Sequence, residues 1–225
     1  MSELPSSLSP VIAEGVDRAA VAGLLAALGV PREYLVSAVR AGLEERRAAT
    51  EFDPTIAAGL RDWMGRVREL RRRLVGAGWE LVDRWNSPFV RSPSGDVLLG
   101  VMPGNSATGI PGGDLRSESV RGVTMAALTS SNESFQLSLD QDLGIRWKAA
   151  DEAKVWLLVT HFVAGGDHGR DRVQLELSQP EPTQEGRLVT EWAYRCCLNP
   201  FEPEPVLDIA DDQAAQGLNF EVVAR

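Results

Sequence analysis

The chain has 225 residues, of which 44% are hydrophobic and 24% charged, and its net charge is −9. This mixture can bury a sizeable core, which excludes a globally disordered chain. No apolar run approaches the ~18–20 residues that cross a bilayer, and the opening "MSELPSSLSP" lacks the basic and apolar regions of an export signal, so a cytoplasmic protein without membrane contact is expected.

The first third reads as helix. "SPVIAEGVDRAAVAGLLAALGV" is rich in alanine and leucine, and it stops at Gly29 with Pro31 just beyond. "PREYLVSAVRAGLEERRAA" restarts with Pro31 at a permitted first helical position. "FDPTIAAGLRDWMGRVRELRRRLVGAG" follows, with Asp53 as the expected cap. At 100° per residue, Leu60, Trp63, Val67, Leu70 and Leu74 form one apolar stripe, expected to bury against the rest of the protein.

After Gly78 the period drops to two. "WELVDRW" and "FVRSPSGDVLLGVM" read as strands, with "SPSGD" as a turn. Strands are also expected at 120–128 and 134–141. The segment 154–179 reads as a hairpin. Its first strand, "KVWLLVTHFV", is apolar on both faces and so expected to be central. Its second alternates Val173, Leu175 and Leu177 with Gln174, Glu176 and Ser178, which predicts one wet face. "GRLVTEWAYRCCL" and "LNFEVVA" complete the set, and "DIADD" at 208–212 reads as a solvated linker. With little helix after residue 78, parallel βαβ units lack their crossovers. The expected fold is α+β: a helical region, 1–77, packed on a β-rich region, 78–225, built as a mainly antiparallel sheet or sandwich.

The run Asp53-Pro54, Leu60, Trp63, Val67-Arg68, Leu70-Arg71, Leu74, Gly78-Trp79, then "SPSG" and "NSATG", resembles uncharacterised conserved bacterial proteins common in actinobacteria. The segments "VWLLV", "LELS" and "GRLVTEW" extend the resemblance over about residues 50–205. It implies a shared fold and no activity. A composition with lysine only at 148 and 154 and abundant arginine fits a GC-rich bacterial source.

The glycine-rich "GVMPGNSATGIPGGD" (100–114) follows a strand, where phosphate loops and nucleophile elbows sit. A phosphate loop needs Lys and Ser/Thr after its second glycine. Gly104 and Gly109 have the spacing, but Ile110 and Pro111 fill those places. A nucleophile elbow around Ser106 would put Thr108 where a small residue is needed. The remaining reading is a mobile surface loop.

His161 and His168 are the only histidines, with Asp167 and Asp171 beside them. Such a cluster supports metal binding or acid–base chemistry, but the histidine spacing is no familiar ligand pattern, and "GGDHGRD" suits a hairpin turn. Cys196 and Cys197 should point to opposite faces of a strand as free thiols, because a vicinal disulfide there is strained. The third helix carries Arg61, Arg66, Arg68, Arg71, Arg72 and Arg73. Asp62–Arg66 and Glu69–Arg73 have the i,i+4 spacing of a solvated face, while Arg61, Arg68 and Arg72 share a side next to the apolar stripe and suit an acidic partner surface. Residues 79–225 hold 12 basic against 22 acidic residues, which disfavours nucleic acid there. The sequence thus reads as a non-enzymatic protein working through a protein partner or self-association, as subunit, adaptor or regulator. No cofactor or metal is expected. The alternatives are a metal-assisted hydrolase or nuclease using His161, Asp167 and His168, and nucleic-acid binding by the arginine-rich helix 61–73.

Overall fold

Among the described residues three helices come first: α1 (Arg18–Leu28), α2 (Arg32–Arg47) and α3 (Ala57–Gly76). The computed structural model describes residues 18–84, 87–119, 153–165, 170–182 and 186–203. Glycine ends α1 and α3 by entering the left-handed region, Gly29 at φ 66° and Gly78 at φ 89°. The next N–H can then turn back onto the last helical turn: Val30 donates to Leu25 at 2.9 Å and Trp79 to Leu74 at 3.0 Å.

Asp53 does not cap α3. Its carboxylate accepts the Thr50 N–H at 2.8 Å and the Thr50 hydroxyl at 3.1 Å, so it closes the preceding turn, and α3 begins at Ala57. The apolar stripe is buried only from its middle onward. Val67, Leu70 and Leu74 are buried, Trp63 is half-buried, and Leu60 remains 49% exposed.

Where α2 crosses α3 the backbones come close at Gly42 and Gly65. A Cβ on Gly42 would run into Arg66 Cγ and Asp62 Oδ1, and one on Gly65 would lie 2.9 Å from the Ala41 carbonyl. This close crossing shuts Asp62 and Arg66 away from water, with both side chains more than nine-tenths buried. Arg66 forks onto Asp62 at 2.5 and 2.7 Å. The spacing that suggested a solvated pair therefore belongs to one within α3 that the crossing of α2 buries. Burial pushes the Arg66 pKa down, against the pull of Asp62.

The helices lead into a six-stranded sheet in the order β1 (Glu80–Arg84), β2 (Ser87–Arg91), β3 (Val97–Pro103), β4 (Lys154–Val163), β5 (Arg172–Pro180), β6 (Trp192–Phe201). Among the described residues every strand pairing is antiparallel except β3–β4, which is parallel, with Val97 opposite Lys154 and Pro103 opposite Thr160. The α+β layout and the mostly antiparallel sheet match the expectation, and the one parallel pair departs from it. β4 is central and covered on both faces, as its apolar run implied. The expected strands at 120–128, 134–141 and 218–224, and the 208–212 linker, lie outside the described residues.

The sheet has two unlike faces. On one, Val90, Leu99, Trp156, Leu158, Val173, Leu175, Leu177 and Leu198 meet the helices in a single core with Leu35, Val39, Leu70 and Leu74. Helical and β-rich regions thus share their interior. On the other, Leu98, Val155, Leu157 and Val159 are covered by the chain after β3, including Leu115, and by Val189.

Candidate functional site

The second face holds the polar residues of β5. Glu176, Ser178 and Gln174 were expected in water, yet Glu176 and Ser178 are fully buried and Gln174 half-buried. The alternation is right and the cover was missed. Arg195 of β6 meets Glu176 through Nε at 3.0 Å and Nη2 at 2.7 Å, a bidentate, charge-assisted pair. Ser178 donates to the same carboxylate at 2.5 Å and the Gly109 N–H at 2.7 Å. Arg195 Nη1 also donates to the Gly113 carbonyl at 2.5 Å. Burial works against charge on Arg195, but its bonds to Glu176 hold its pKa above the usual arginine value.

The glycine-rich loop, expected as a mobile surface turn, keeps Ile110, Pro111 and Gly112 exposed but is tied to the sheet on its inner side. Glu176 and Arg195 grip it from beneath, Thr108 and Leu115 are buried under it, and Asn105 ties its ends by donating to the Asp114 carbonyl at 2.9 Å. Gly109 sits at φ 70° with Leu175 backbone atoms 3.2 and 3.3 Å from where a Cβ would be. Gly109 thus serves close packing on β5, Gly104 packs on Val159 of β4, and Gly112 has open space around it. Ser106 is exposed at the rim.

His161 lies on this same face, with Nδ1 3.0 Å from the Gly104 carbonyl. Asp167 and His168 lie outside the described residues, so the structure gives no distance from either to His161. Asp171 turns instead to Arg47 at 3.3 Å and the Gly165 N–H at 3.2 Å. Among the described residues no group of three or more His, Cys, Asp or Glu could hold a metal ion. The cysteines take opposite faces, Cys196 buried and Cys197 half-buried. Burial pushes their thiols up to about 12 and about 11, so neither is a thiolate near neutral pH.

The arginines of α3 occupy a different setting. Arg61, Arg68 and Arg72 are 41%, 64% and 63% exposed. Each faces a carboxylate of its own chain: Asp53 at 3.4 Å, Glu45 at 2.9 Å and Glu69 at 2.7 Å. Glu69 serves Arg73 as well, and its hydrogen bond from Arg72, with that from Arg73, holds its carboxyl down to about 2. Between the sheet edge and α3 runs a groove of about 570 Å³. Its apolar wall includes Met64, Val75, Leu81 and Pro88, with Leu81 58% exposed, and Arg68, Arg71 and Arg72 rim it. Arg71 bonds Asp83 of β1 at 2.8 and 3.0 Å, while its buried Nε has no hydrogen-bond partner.

Sequence reasoning missed Glu176 and Arg195, whose partnership spans two strands. It also missed the groove, whose only signal was the apolar Met64 and Val75 outside the stripe. No single helix among the described residues is long and apolar enough to cross a membrane. No family model, curated protein or solved structure matches the chain.

Proposed function

We propose that the chain is a non-enzymatic cytoplasmic protein that acts by contact with another protein, as subunit, adaptor or regulator. Its docking face is the exposed side of α3, with Arg61, Arg68 and Arg72 as the charged contacts. The observation that supports this is the arginine-rimmed apolar groove between α3 and β1. Exposed apolar side chains gathered in a groove and bordered by arginine have the composition of protein interfaces, where arginine is enriched and apolar anchors carry the energy.

Nucleic acid has less support. The groove between Arg68 and Arg72 is lined by apolar side chains, where a phosphate track would be polar.

The test is affinity purification from the native host with the parent chain and the triple variant Arg61→Ser, Arg68→Ser, Arg72→Ser, with bound proteins identified by mass spectrometry. A specific protein recovered with the parent, depleted with the variant and released by added salt is the expected result. An identical set of co-purifying proteins from both chains would overturn the assignment.

A further inference from the structure

The groove lies beside a sheet edge that is open among the described residues. β1 pairs with β2 on one side, and among the described residues no strand lies beyond it. Leu81 and Asp83 of β1 stand opposite Val90 and Pro88 of β2. Val90 belongs to the helix-side core. Leu81, Asp83, Pro88 and Val90 thus share the helix-side face, by the alternation of strands.

α3 covers Val90 but leaves Leu81 open, and Arg71 reaches outward from α3 to Asp83. Arg68 and Arg72, at i and i+4, line the same groove with Val75. A strand laid against β1 would therefore have its helix-side residues beneath these α3 side chains. Charge selects its composition. α3 holds six arginines against Asp62 and Glu69, and Asp62 is spent on buried Arg66. Glu69 is shared by two arginines, and the ion pairs of Arg68 and Arg72 are exposed and exchangeable.

We propose that the groove takes an extended, acidic segment of a partner protein, which adds to the edge of β1 as a further strand. Its main chain pairs with β1, an apolar side chain packs on Leu81 and Val75, and a carboxylate on the same face of the added strand meets Arg68 or Arg72. This is recognition by strand addition, where backbone bonds supply affinity and alternate side chains supply choice. It rests on the docking reading above and adds the mode and chemistry of the occupant.

The experiment uses the full chain as bait for a displayed library of random twelve-residue peptides. Each enriched peptide is remeasured on the variants Arg68→Ser/Arg72→Ser and Leu81→Glu. The expected result is enrichment of peptides with acidic and apolar residues at spacings of two. Their affinity should fall about tenfold on either variant. N-methylation at alternate peptide residues should abolish binding in one phase of the alternation and spare it in the other, because only one set of N–H groups faces β1. Peptides that bind the groove but carry a helical i, i+3, i+4 pattern, or tolerate N-methylation in both phases, would overturn strand addition while leaving the docking face standing. Enriched peptides indifferent to both variants, or no enrichment at all, would count against the docking face itself. Circular dichroism of each variant, unchanged from the parent, confirms that lost binding is not lost fold.

Discussion

Two arginine–carboxylate pairs of nearly equal geometry do opposite things in this protein. Arg195, 16% exposed, meets a fully buried Glu176 at 2.7 Å, and Arg72 meets Glu69 at the same 2.7 Å with its side chain 63% exposed. The first is enclosed and also binds carbonyls of the glycine-rich loop, so it fixes that loop to β5 and β6. The second stands in water, is screened by salt and can be traded for another carboxylate. Distance alone does not separate a structural pair from an interaction site. What surrounds the pair does.

The sharpest way to break this comparison is to remove one member of the enclosed pair. Arg195→Ala should cost about 3–5 kcal/mol, because Glu176 is left buried without its cation. Urea denaturation measures the loss, and limited proteolysis should cut the released loop between residues 104 and 116. A cost below about 1 kcal/mol would place this pair with the exposed ones.

Next comes the other buried pair. Gly42→Ala drives a methyl into Arg66 and Asp62 at the helix crossing and should cost about 1–3 kcal/mol by overpacking. Gly23→Ala, in α1 with open space around it, is the control and should not destabilise. Equal melting temperatures for the two would refute the close crossing.

The thiols probe the two sheet faces more gently. Burial lifts Cys196 and Cys197 to about 12 and about 11, from an ordinary 9.0. The unfolded chain therefore loses these protons first, and stability should decline as pH climbs past about 9 toward 11–12. Alkylation by iodoacetamide at pH 8 should be slow for both in the native state and fast in urea. Rapid native labelling of Cys196 would contradict its burial.

The smallest effect belongs to the exposed arginines. The variant Arg61→Ser, Arg68→Ser, Arg72→Ser should melt where the parent melts and should lose partner binding only. For Glu69 the linkage runs the other way from the thiols. Its carboxyl is held at about 2 against an ordinary 4.5, so whatever it contributes is present above about 4.5 and lost as pH falls toward 2. Carboxyl NMR should find it still ionised at pH 3, and an ordinary titration midpoint would show that Arg72 and Arg73 do not hold it.

Much of the fold was legible because it depends on short-range pattern. The 3.6-residue stripe marked α3, the apolar run Val155–Val159 marked a central strand, and the break at Gly78 marked where helix gives way to sheet. What was not legible depends on distant partners. Glu176 alternates with apolar neighbours as a surface residue would, and nothing local says that Arg195 and Gly109 will close over it. The i,i+4 spacing of Asp62 and Arg66 is the same in water or in a helix crossing, and the deciding residue, Gly42, sits on another helix. Leu60 fits the stripe by angle, yet it lies beyond the part of α3 that the sheet covers. The arginines of the proposed docking face were legible as a cluster. The groove that gives them an apolar centre was not, because Leu81 and Pro88 reach it from β1 and β2.

The parallel pairing of β3 with β4 carries a consequence for synthesis. β3 ends at Pro103 and its neighbour β4 ends at Val163, about 60 residues later. At translation rates of roughly 5–20 residues per second, β3 waits on the order of 3–12 seconds for its partner to be made. During that interval α1–α3 and β1–β3 can assemble by local contacts, leaving the long apolar edge of β3 open in the nascent chain. That edge, with Leu98, Leu99 and Met102 alongside, is the natural place for a chaperone to bind and for misassembly to begin.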